Sequence, residues 1–296
     1  MYINKEKNDL LQYSNFFYNK KINVSFEFFP PKNLDMENKF WNTVNVLSTL
    51  KPRFFSITYG ANNSTCDQIF NLVSTVYEST KVVVAPHLTC INHTIYELKK
   101  IAKRYWTSGI KDIVALRGDS VSNKQYNHIM YAVDLVKLLK EIGDFNISVA
   151  AYPEMHPESK NKQDDLLNLK KKIDAGANQA ITQFFFNTDT FLRFRDECIS
   201  NKIHIDIIPG ILPISNFNQI CKFSKMTNVN IPKWIYDVFR IDNIDSTTSI
   251  LLGSNIAMNM VESLYKEGVT NFHFYTLNCS YISYAINILL NVNINK

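Results

Sequence analysis

Eight short apolar runs divide the chain almost from end to end, and each closes on a polar or turn residue before an amphipathic stretch begins. A strand–helix unit recurring at roughly 30 residues is typical of a parallel sheet. The runs cover Ile22–Pro30, Phe54–Gly60, Val82–Cys90, Asp112–Gly118, Ile147–Pro153, Gln179–Phe186, Ile205–Leu212 and Asn271–Asn278. They predict the α/β class and a closed (β/α)8 TIM barrel, with extra helices between strands 7 and 8 in the longer interval Pro213–Thr270.

The order of residues within each run predicts which side chains enter the barrel, because successive strand side chains point to opposite faces. In the first run, Phe26 and Phe28 are expected to face the helices and Glu27 the interior; in the fourth, Val114 and Leu116 are expected on the helix side. The interior positions predicted in this way are Ser25, Ser56, Thr58, His87, Arg117, Tyr152, Gln183 and Tyr275. Such barrels carry their chemistry at the C-terminal strand ends, so this convergence predicts a polar pocket there.

Size and charge restrict the class of protein. A chain of 296 residues accommodates one barrel with a few additional helices, so a single domain over residues 1–296 is expected. The net charge of +5 is modest and the lysines are spread over predicted helix surfaces, which argues against nucleic acid as a partner. No run is long enough to span a membrane, the first residues lack a secretory apolar region, and the cysteines form no C-x-x-C pair, so a cytoplasmic location is expected.

Several common site motifs are absent from the sequence. The six histidines form no H-E-x-x-H motif and have no cysteine-rich partner set, so no metal site is expected. Neither G-x-G-x-x-G nor G-x-x-x-x-G-K-[ST] occurs, so a nucleotide cofactor would have to be held by another device. Local signals are clearer: Thr94 and Glu97 predict a capping box that opens a helix ending near Gly109, and Gly176 is expected to close another helix. A helix is also expected before Lys21, and a long loop over Ser120–His128.

Motifs in the predicted strands closely resemble those of bacterial methylenetetrahydrofolate reductases, in the same order and over nearly the whole chain. They are Ser25–Pro31 (SFEFFPP), Ile57–Ala61 (ITYGA), Ala85–Cys90 (APHLTC), Ala115–Asp119 (ALRGD), Ala150–Glu154 (AAYPE), Asp174–Phe186 (DAGANQAITQFFF), Pro209–Pro213 (PGILP) and His273–Asn278 (HFYTLN). The resemblance implies an FAD-containing barrel without a regulatory domain. It also implies a homo-oligomer, expected to be a tetramer.

The activity implied by the resemblance is reduction of 5,10-methylenetetrahydrofolate to 5-methyltetrahydrofolate, which supplies methionine synthesis in one-carbon metabolism. FAD would be reduced by NADH or NADPH in a separate, ping-pong half-reaction. The substrate's methylene group bridges two nitrogens and accepts hydride only after protonation opens one C–N bond. The reaction therefore needs an acid and an anion that stabilises the resulting cation.

By resemblance, Glu27 is the general acid and Asp119 is the stabilising carboxylate, which would also contact flavin and folate. A positioned acid contributes roughly 10²–10⁴-fold in rate. A carboxylate about 4 Å from the cation contributes roughly 4 kcal/mol at an effective dielectric constant near 20. Considered without the resemblance, Glu27 could instead bond Arg117 or a backbone amide, and Asp119 could cap a helix or pair with Arg117.

The remaining site residues are also assigned through the resemblance. Those for folate are Asp119, Gln183, Gln219, Phe223 and Cys279, with Gln183 contacting the nicotinamide as well. Those for FAD and nicotinamide are Thr58, Tyr59, Ala61, His87, Arg117, Gly118, Asp119, Tyr131, Ala132, Tyr152, His156, Asp165, Asn168, Lys171 and Lys172. Arg117 and Lys172 would neutralise the diphosphate of FAD.

Alternatives remain for several of these residues. Thr58, Gln183 and Phe223 could simply pack or bond within the barrel, and on spacing alone the stripe of Asp165, Asn168 and Lys172 would be a solvated helix face. Two positions depart from bacterial relatives, because Cys279 and Lys171 stand where those commonly carry arginine.

Two rival functions are also open. One is a hydrolase or isomerase that uses Glu27 and Asp119 as paired carboxylates. The other is a folate- or flavin-binding barrel without turnover. The preference between NADH and NADPH and the polyglutamate length of the folate are undetermined.

Overall fold

The computed structural model describes residues 22–59, 65–91, 93–118, 130–240, 245–279 and 284. Eight parallel strands form a closed barrel in which each strand pairs with its sequence neighbours and the last strand pairs with the first. The strands are β1 (Asn23–Phe28), β2 (Phe55–Ile57), β3 (Val84–Thr89), β4 (Asp112–Leu116), β5 (Asn146–Ala151), β6 (Gln179–Phe184), β7 (Asp206–Ile211) and β8 (Asn271–Tyr275). The predicted (β/α)8 barrel is confirmed, and only β5 begins outside its predicted run, by one residue.

Helices alternate with the strands around the barrel. They are α1 (Leu34–Ser48), α2 (Cys66–Thr80), α3 (Ile95–Thr107), α4 (Ala132–Ile142), α5 (Lys162–Asp174), α6 (Thr188–Ser200), α7 (Phe217–Thr227), α8 (Lys233–Phe239) and α9 (Ser246–Lys266). Three of them, α7 to α9, lie between β7 and β8, which confirms the extra helices predicted there. The N-terminal helix before Lys21 and the loop Ser120–His128 were also predicted, but both lie outside the described residues.

Capping signals in the sequence form as expected. Thr94 Oγ1 accepts from Glu97 N (3.2 Å), and Glu97 Oε2 accepts from Thr94 N (2.7 Å), so the capping box opens α3. Two glycines follow helix ends with left-handed backbone, Gly109 at φ +80° after α3 and Gly176 at φ +116° after α5.

Alternation along β1 is also as predicted. Phe28 lies edge-on to Phe40 of α1 with ring centroids 5.6 Å apart, and Phe26 lies between Phe55 and Phe274 on the helix side of the sheet. Each of these rings is fully buried, and burial of such a side chain contributes roughly 1.5–3 kcal/mol. The opposite face of β1 therefore carries Glu27 into the barrel.

β4 does not follow the predicted parity. His87 pairs in register with Val114, which belongs to an apolar cluster inside the barrel, whereas Ala115 packs with the core of α3 and α4. The prediction that Val114 and Leu116 face the helices was wrong. The barrel interior is apolar at this level, so hydrophobicity does not distinguish the two faces of a buried parallel strand. Arg117 lies beyond the end of β4, where strand alternation no longer governs its direction.

Polar residues at the N-terminal end of the barrel bond to one another in what we call the basal network, formed by Arg53, Ser148, Gln179, Asp206 and Asn271. Gln179 Nε2 donates to Ser148 Oγ (2.8 Å), and Arg53 Nη2 donates to Gln179 Oε1 (3.4 Å). Asn271 Nδ2 donates to Asp206 Oδ2 (2.6 Å), and Arg53 Nη1 lies 3.7 Å from the same oxygen. The network satisfies the polar groups that close this end.

The apolar cluster inside the barrel contains Phe54, Ala85, Val114, Ile181 and Ile208. Two of its members, Ile181 and Ile208, follow members of the basal network by two residues along the same strand, and Ala85 precedes His87 by two. The cluster thus lies between the basal network and the polar residues at the C-terminal end.

Candidate active site

Glu27 meets two imidazoles inside the C-terminal end of the barrel. Its Oε2 lies 3.3 Å from His87 Nε2 of β3 and 3.6 Å from His273 Nε2 of β8. The Glu27 side chain is 13% exposed and His273 is fully buried. Three strands therefore bring one carboxyl group and two imidazoles together, and parity alone predicted the inward direction of Glu27 and His87. The sequence alternative in which Glu27 bonds Arg117 is not observed.

Ser25 determines the orientation of His273. Ser25 Oγ and His273 Nδ1 are hydrogen-bonded at 2.7 Å, and the two residues pair in register across β1 and β8. The imidazole stacks on Phe54, with ring centroids 5.7 Å apart. Both contacts direct Nε2 towards Glu27. We call Ser25, Glu27, His87 and His273 the Glu27 cluster.

The pKa values of the Glu27 cluster show that the carboxyl group is ionised in the ligand-free protein. Burial raises the pKa of Glu27, but attraction to His87 and contacts with His273 together outweigh it and lower this pKa to about 2. Burial lowers the pKa of His273 despite the nearby carboxylate, so this imidazole is neutral at pH 7. The interaction with His87 is the largest of the causes that lower the Glu27 pKa.

Several buried polar atoms at this end have no hydrogen-bond partner among the described residues. They are Ser56 Oγ, Thr58 Oγ1, His87 Nε2 and His273 Nε2. Both imidazole nitrogens are near Glu27 at ion-pair distances but without hydrogen-bond geometry. Buried unsatisfied groups are rare in folded proteins and require an explanation. Their concentration around one carboxylate fits a site that is completed by polar ligand groups or by water.

The loop after β5 brings together four residues assigned to FAD. The Tyr152 and His156 rings are edge-on at 4.6 Å, and Asp165 Oδ2 accepts from His156 N (3.0 Å). Lys172 Nζ donates to the Ala150 carbonyl of β5 (2.5 Å). Burial lowers the pKa of Lys172 to about 8, although the Asp165 charge opposes the shift. Asp165 and Lys172 therefore face the loop and β5, whereas the alternative of a solvated face fits only their neighbours Asn168 and Lys171, which are exposed.

Arg117 is engaged by a residue that the sequence did not single out. Its Nη1 and Nη2 donate to Glu158 Oε2 (2.5 Å) and Oε1 (2.7 Å) in a bidentate pair. The guanidinium lowers the pKa of Glu158. Gly118 follows at φ +85°, and a Cβ there would come within 2.9 Å of the Ile91 and Thr89 side chains, so the close approach requires glycine.

The remaining predicted site residues are spread around the C-terminal end. Thr58 is buried at the end of β2, and Tyr59 Oη contacts His93 Nε2 at 2.9 Å. Gln183 lies near the end of β6, where its Oε1 accepts from Phe184 N (3.0 Å). The rest are Tyr131, exposed before α4; Ala132, the first residue of α4; Gln219, exposed on α7; Phe223, partly packed against the core; and Cys279, partly buried after β8. Ala61 and Asp119 lie outside the described residues.

Sequence reasoning missed the roles of two residues. His273 stood in the last strand motif, two residues before the predicted interior Tyr275, so parity was a usable signal for it. Glu158 carried no signal, because its contact with Arg117 spans 41 positions.

Two kinds of feature are absent from the described residues. No helix in this part of the chain is both long and apolar enough to cross a membrane. Within the same residues, no group of three or more His, Cys, Asp or Glu side chains is placed to hold a metal ion.

Comparisons with known proteins agree with the strand motifs. A profile of the methylenetetrahydrofolate reductase family matches residues 12–291. The 5,10-methylenetetrahydrofolate reductases of Buchnera aphidicola subsp. Acyrthosiphon pisum and Escherichia coli are 61% and 56% identical, with 90% of both chains covered in each case. Methylenetetrahydrofolate reductase (NADH) 1 of Arabidopsis thaliana is 33% identical, over 91% of this chain and 48% of its own length. A Clostridium thermocellum protein that binds two copies of 5-methyl-5,6,7,8-tetrahydrofolic acid shares the fold, with a TM-score of 0.66 at 17% identity, covering 96% of this chain and 98% of the other.

Proposed function

The chain belongs to the methylenetetrahydrofolate reductase family and is therefore an oxidoreductase of folate one-carbon metabolism; from this premise we propose that it works with NADH or NADPH and bound FAD, in two separate half-reactions in one pocket. The product, 5-methyltetrahydrofolate, would supply methionine synthesis. The observation that carries the proposal is the Glu27 cluster at the C-terminal end of the barrel, in which two unsatisfied imidazole nitrogens face the carboxyl group.

The residues at this end fit FAD. When bound, FAD would supply the hydride carrier between nicotinamide and folate. Arg117 and Lys172 are cations suited to its diphosphate, and the unsatisfied Thr58 Oγ1 and His87 Nε2 suit the polar edge of a flavin. Tyr152, His156 and Asp165 would hold the loop that carries these contacts. By family membership, the FAD contacts would also include Tyr59, Ala61, Gly118, Tyr131, Ala132 and Asn168.

Glu27 would protonate the leaving nitrogen of the folate, which requires a proton that it lacks in the ligand-free protein. Its Oε2 lies 3.3 Å from His87 Nε2, and among the described residues no backbone donor stabilises the charge. When ligands cover the site and exclude water, a buried carboxylate becomes less favourable than the neutral acid. Uptake of a proton at Glu27 would then produce the neutral acid when folate is bound. Ser25 and His273 would keep the carboxyl group in position.

The other folate contacts are assigned by family membership. Asp119 would stabilise the cation formed from the substrate, and the amide of Gln183 offers donors and an acceptor to folate and nicotinamide in turn. Gln219 and Phe223 would contact the folate from α7. Cys279 lacks the charge of the arginine that relatives carry, so folate would be held less firmly there. Lys171 retains the charge at its position but is exposed.

A direct test is the absorption spectrum of the purified protein. The expected result is a flavin spectrum that NADH or NADPH bleaches and that methylenetetrahydrofolate then restores. A colourless protein that does not take up FAD would favour the hydrolase or isomerase barrel, and a bleached flavin that folate fails to reoxidise would favour a binding protein without turnover.

We also propose one domain, a homotetramer and a cytoplasmic location. Light scattering during gel filtration tests the tetramer.

A further inference from the structure

The loop between β5 and α5 (residues 152–161) places the carboxylate of Glu158 on Arg117, one of the two cations proposed to bind the diphosphate of FAD. Glu158 occupies both outer nitrogens of the Arg117 guanidinium, at 2.5 and 2.7 Å. A carboxylate and a phosphate bind this planar fork in the same bidentate way. Glu158 and a diphosphate oxygen pair would therefore compete for one set of donors.

Glu158 is anchored by residues that belong to the proposed cofactor site. Its backbone N donates to His156 Nδ1 (3.1 Å), His156 N donates to Asp165 Oδ2, and Ser159 Oγ donates to Asp165 Oδ1 (3.0 Å). A turn from Ser159 N to the His156 carbonyl (3.0 Å) completes the loop. The backbone that presents Glu158 is thus ordered, whatever its carboxylate binds.

The two partners differ in how easily they leave the pair. The Glu158 side chain is 62% exposed, whereas that of Arg117 is 26% exposed. A rotation of the Glu158 side chain would return its carboxylate to water. Arg117 would stay in place, between the C-terminal end of β4 and the loop 152–161. Lys172, the other predicted diphosphate cation, binds a backbone carbonyl and would need no anion removed from it.

We propose that Glu158 is an internal stand-in for a phosphoryl group: it holds Arg117 in the FAD-free protein and is displaced when the diphosphate of FAD binds. The inference rests on the proposed FAD dependence. Glu158 thereby lowers FAD affinity, because its pair with Arg117 must break and its charge stays close to the diphosphate. An exposed ion pair contributes little, about 1 kcal/mol at most, which corresponds to about a fivefold effect on Kd.

The test is the Kd of FAD for flavin-depleted protein, measured by quenching of flavin fluorescence. Glu158→Gln is expected to tighten FAD binding about fivefold and to leave riboflavin binding unchanged, because riboflavin carries no phosphate. Glu141→Gln is the matched control: Glu141 is 65% exposed and pairs with Lys99 on the surface at 3.6 Å. This control should change neither affinity.

A second pair of variants locates the effect at Arg117. In an Arg117→Gln background, Glu158→Gln should no longer change FAD affinity, since the contested donors are gone. Unchanged or weaker FAD binding in the single Glu158→Gln variant overturns the inference, as does an effect that persists without Arg117. If the wild-type chain binds neither riboflavin nor FAD, the proposed cofactor fails together with the inference. If it binds FAD but Glu158→Gln does not tighten binding, the inference alone fails.

Discussion

Both ends of the barrel interior hold polar residues, but the hydrogen-bonding groups are satisfied at one end and partly unsatisfied at the other. At the N-terminal end, the basal network bonds its groups to one another, and none of its side-chain atoms is among the unsatisfied buried atoms of the described residues. At the C-terminal end, two imidazole nitrogens and two hydroxyls are buried without hydrogen-bond partners in the same part of the chain. Polar residues in a barrel therefore indicate a site only where their bonding capacity is left open.

The two ends also shift carboxyl groups in opposite directions. Glu27 has a lowered pKa because imidazoles surround it, whereas burial raises the pKa of Asp112 at the start of β4. Asp112 accepts from Asn146 Nδ2 (2.5 Å), and this bond lowers its pKa but does not offset burial. Burial acts on both groups, so the neighbouring side chains decide the sign.

The largest effect is expected when the charge is removed at the C-terminal end. Glu27→Gln should slow reduction of methylenetetrahydrofolate roughly 10²–10⁴-fold, because the leaving nitrogen loses its acid. Flavin reduction by NADH should change less than about twofold, since that step needs no acid. Stopped-flow measurement of each half-reaction provides the check. Asp112→Asn replaces a carboxyl group with an amide at the other end of the barrel; it is the control and should alter neither step. Equal loss of both steps in Glu27→Gln would refute the acid role.

The pH dependence of stability should differ between wild type and Glu27→Gln. A carboxyl group with a pKa lowered from 4.5 to about 2 stabilises the fold above pH 4.5, and this contribution disappears as the pH falls towards 2. It is on the order of 3 kcal/mol. Urea unfolding at pH 7, 4 and 3 should show the free-energy difference between the two proteins shrinking at each step. A difference that is constant with pH would mean that folding does not shift the pKa of Glu27.

Breaking the basal network should cost stability without changing the chemistry. Gln179→Ala removes the partner of the buried Ser148 hydroxyl, and leaving such a group unsatisfied costs about 1–3 kcal/mol. The denaturation midpoint should fall while the rate of folate reduction per folded molecule stays unchanged. A selective loss of that rate would show that the two ends are coupled through the apolar cluster between them.

The smallest effect is expected for the stability of Asp112→Asn. A carboxyl group with a raised pKa disfavours the fold once it ionises. A neutral amide should therefore increase the free energy of unfolding at pH 7 by less than about 1 kcal/mol, which appears as a slightly higher unfolding temperature. The gain should vanish at pH 3, where wild-type Asp112 is protonated. A loss of stability at pH 7 would instead indicate that the Asn146 bond to a charged carboxylate outweighs burial.

Much of the fold was predictable because it depends on short-range pattern. The period of the apolar runs located all eight strands, and Thr94 with Glu97 predicted where α3 begins. Parity placed Glu27 and His87 inside the barrel, since alternation depends only on the extended backbone. It failed at β4, where Val114 and Ala115 are both apolar and buried on opposite faces.

Less of the candidate site was predictable, since its properties depend on distant neighbours. Motif resemblance named Arg117 and Lys172, but the Glu158 carboxylate that occupies Arg117 is 41 positions away. The charge of Glu27 depends on His87 and on His273, 246 positions away in the chain. No local pattern encodes those contacts.

The residue pattern alone was sufficient for the barrel and the family, because periodicity, alternation and motif order are properties of neighbouring residues. The folded chain alone decided that Glu27 is ionised before ligands bind, that its two imidazoles are unsatisfied and that Arg117 is already paired. Protonation and pairing depend on burial and on charges within a few ångströms, and barrel closure sets both by bringing β1, β3 and β8 together.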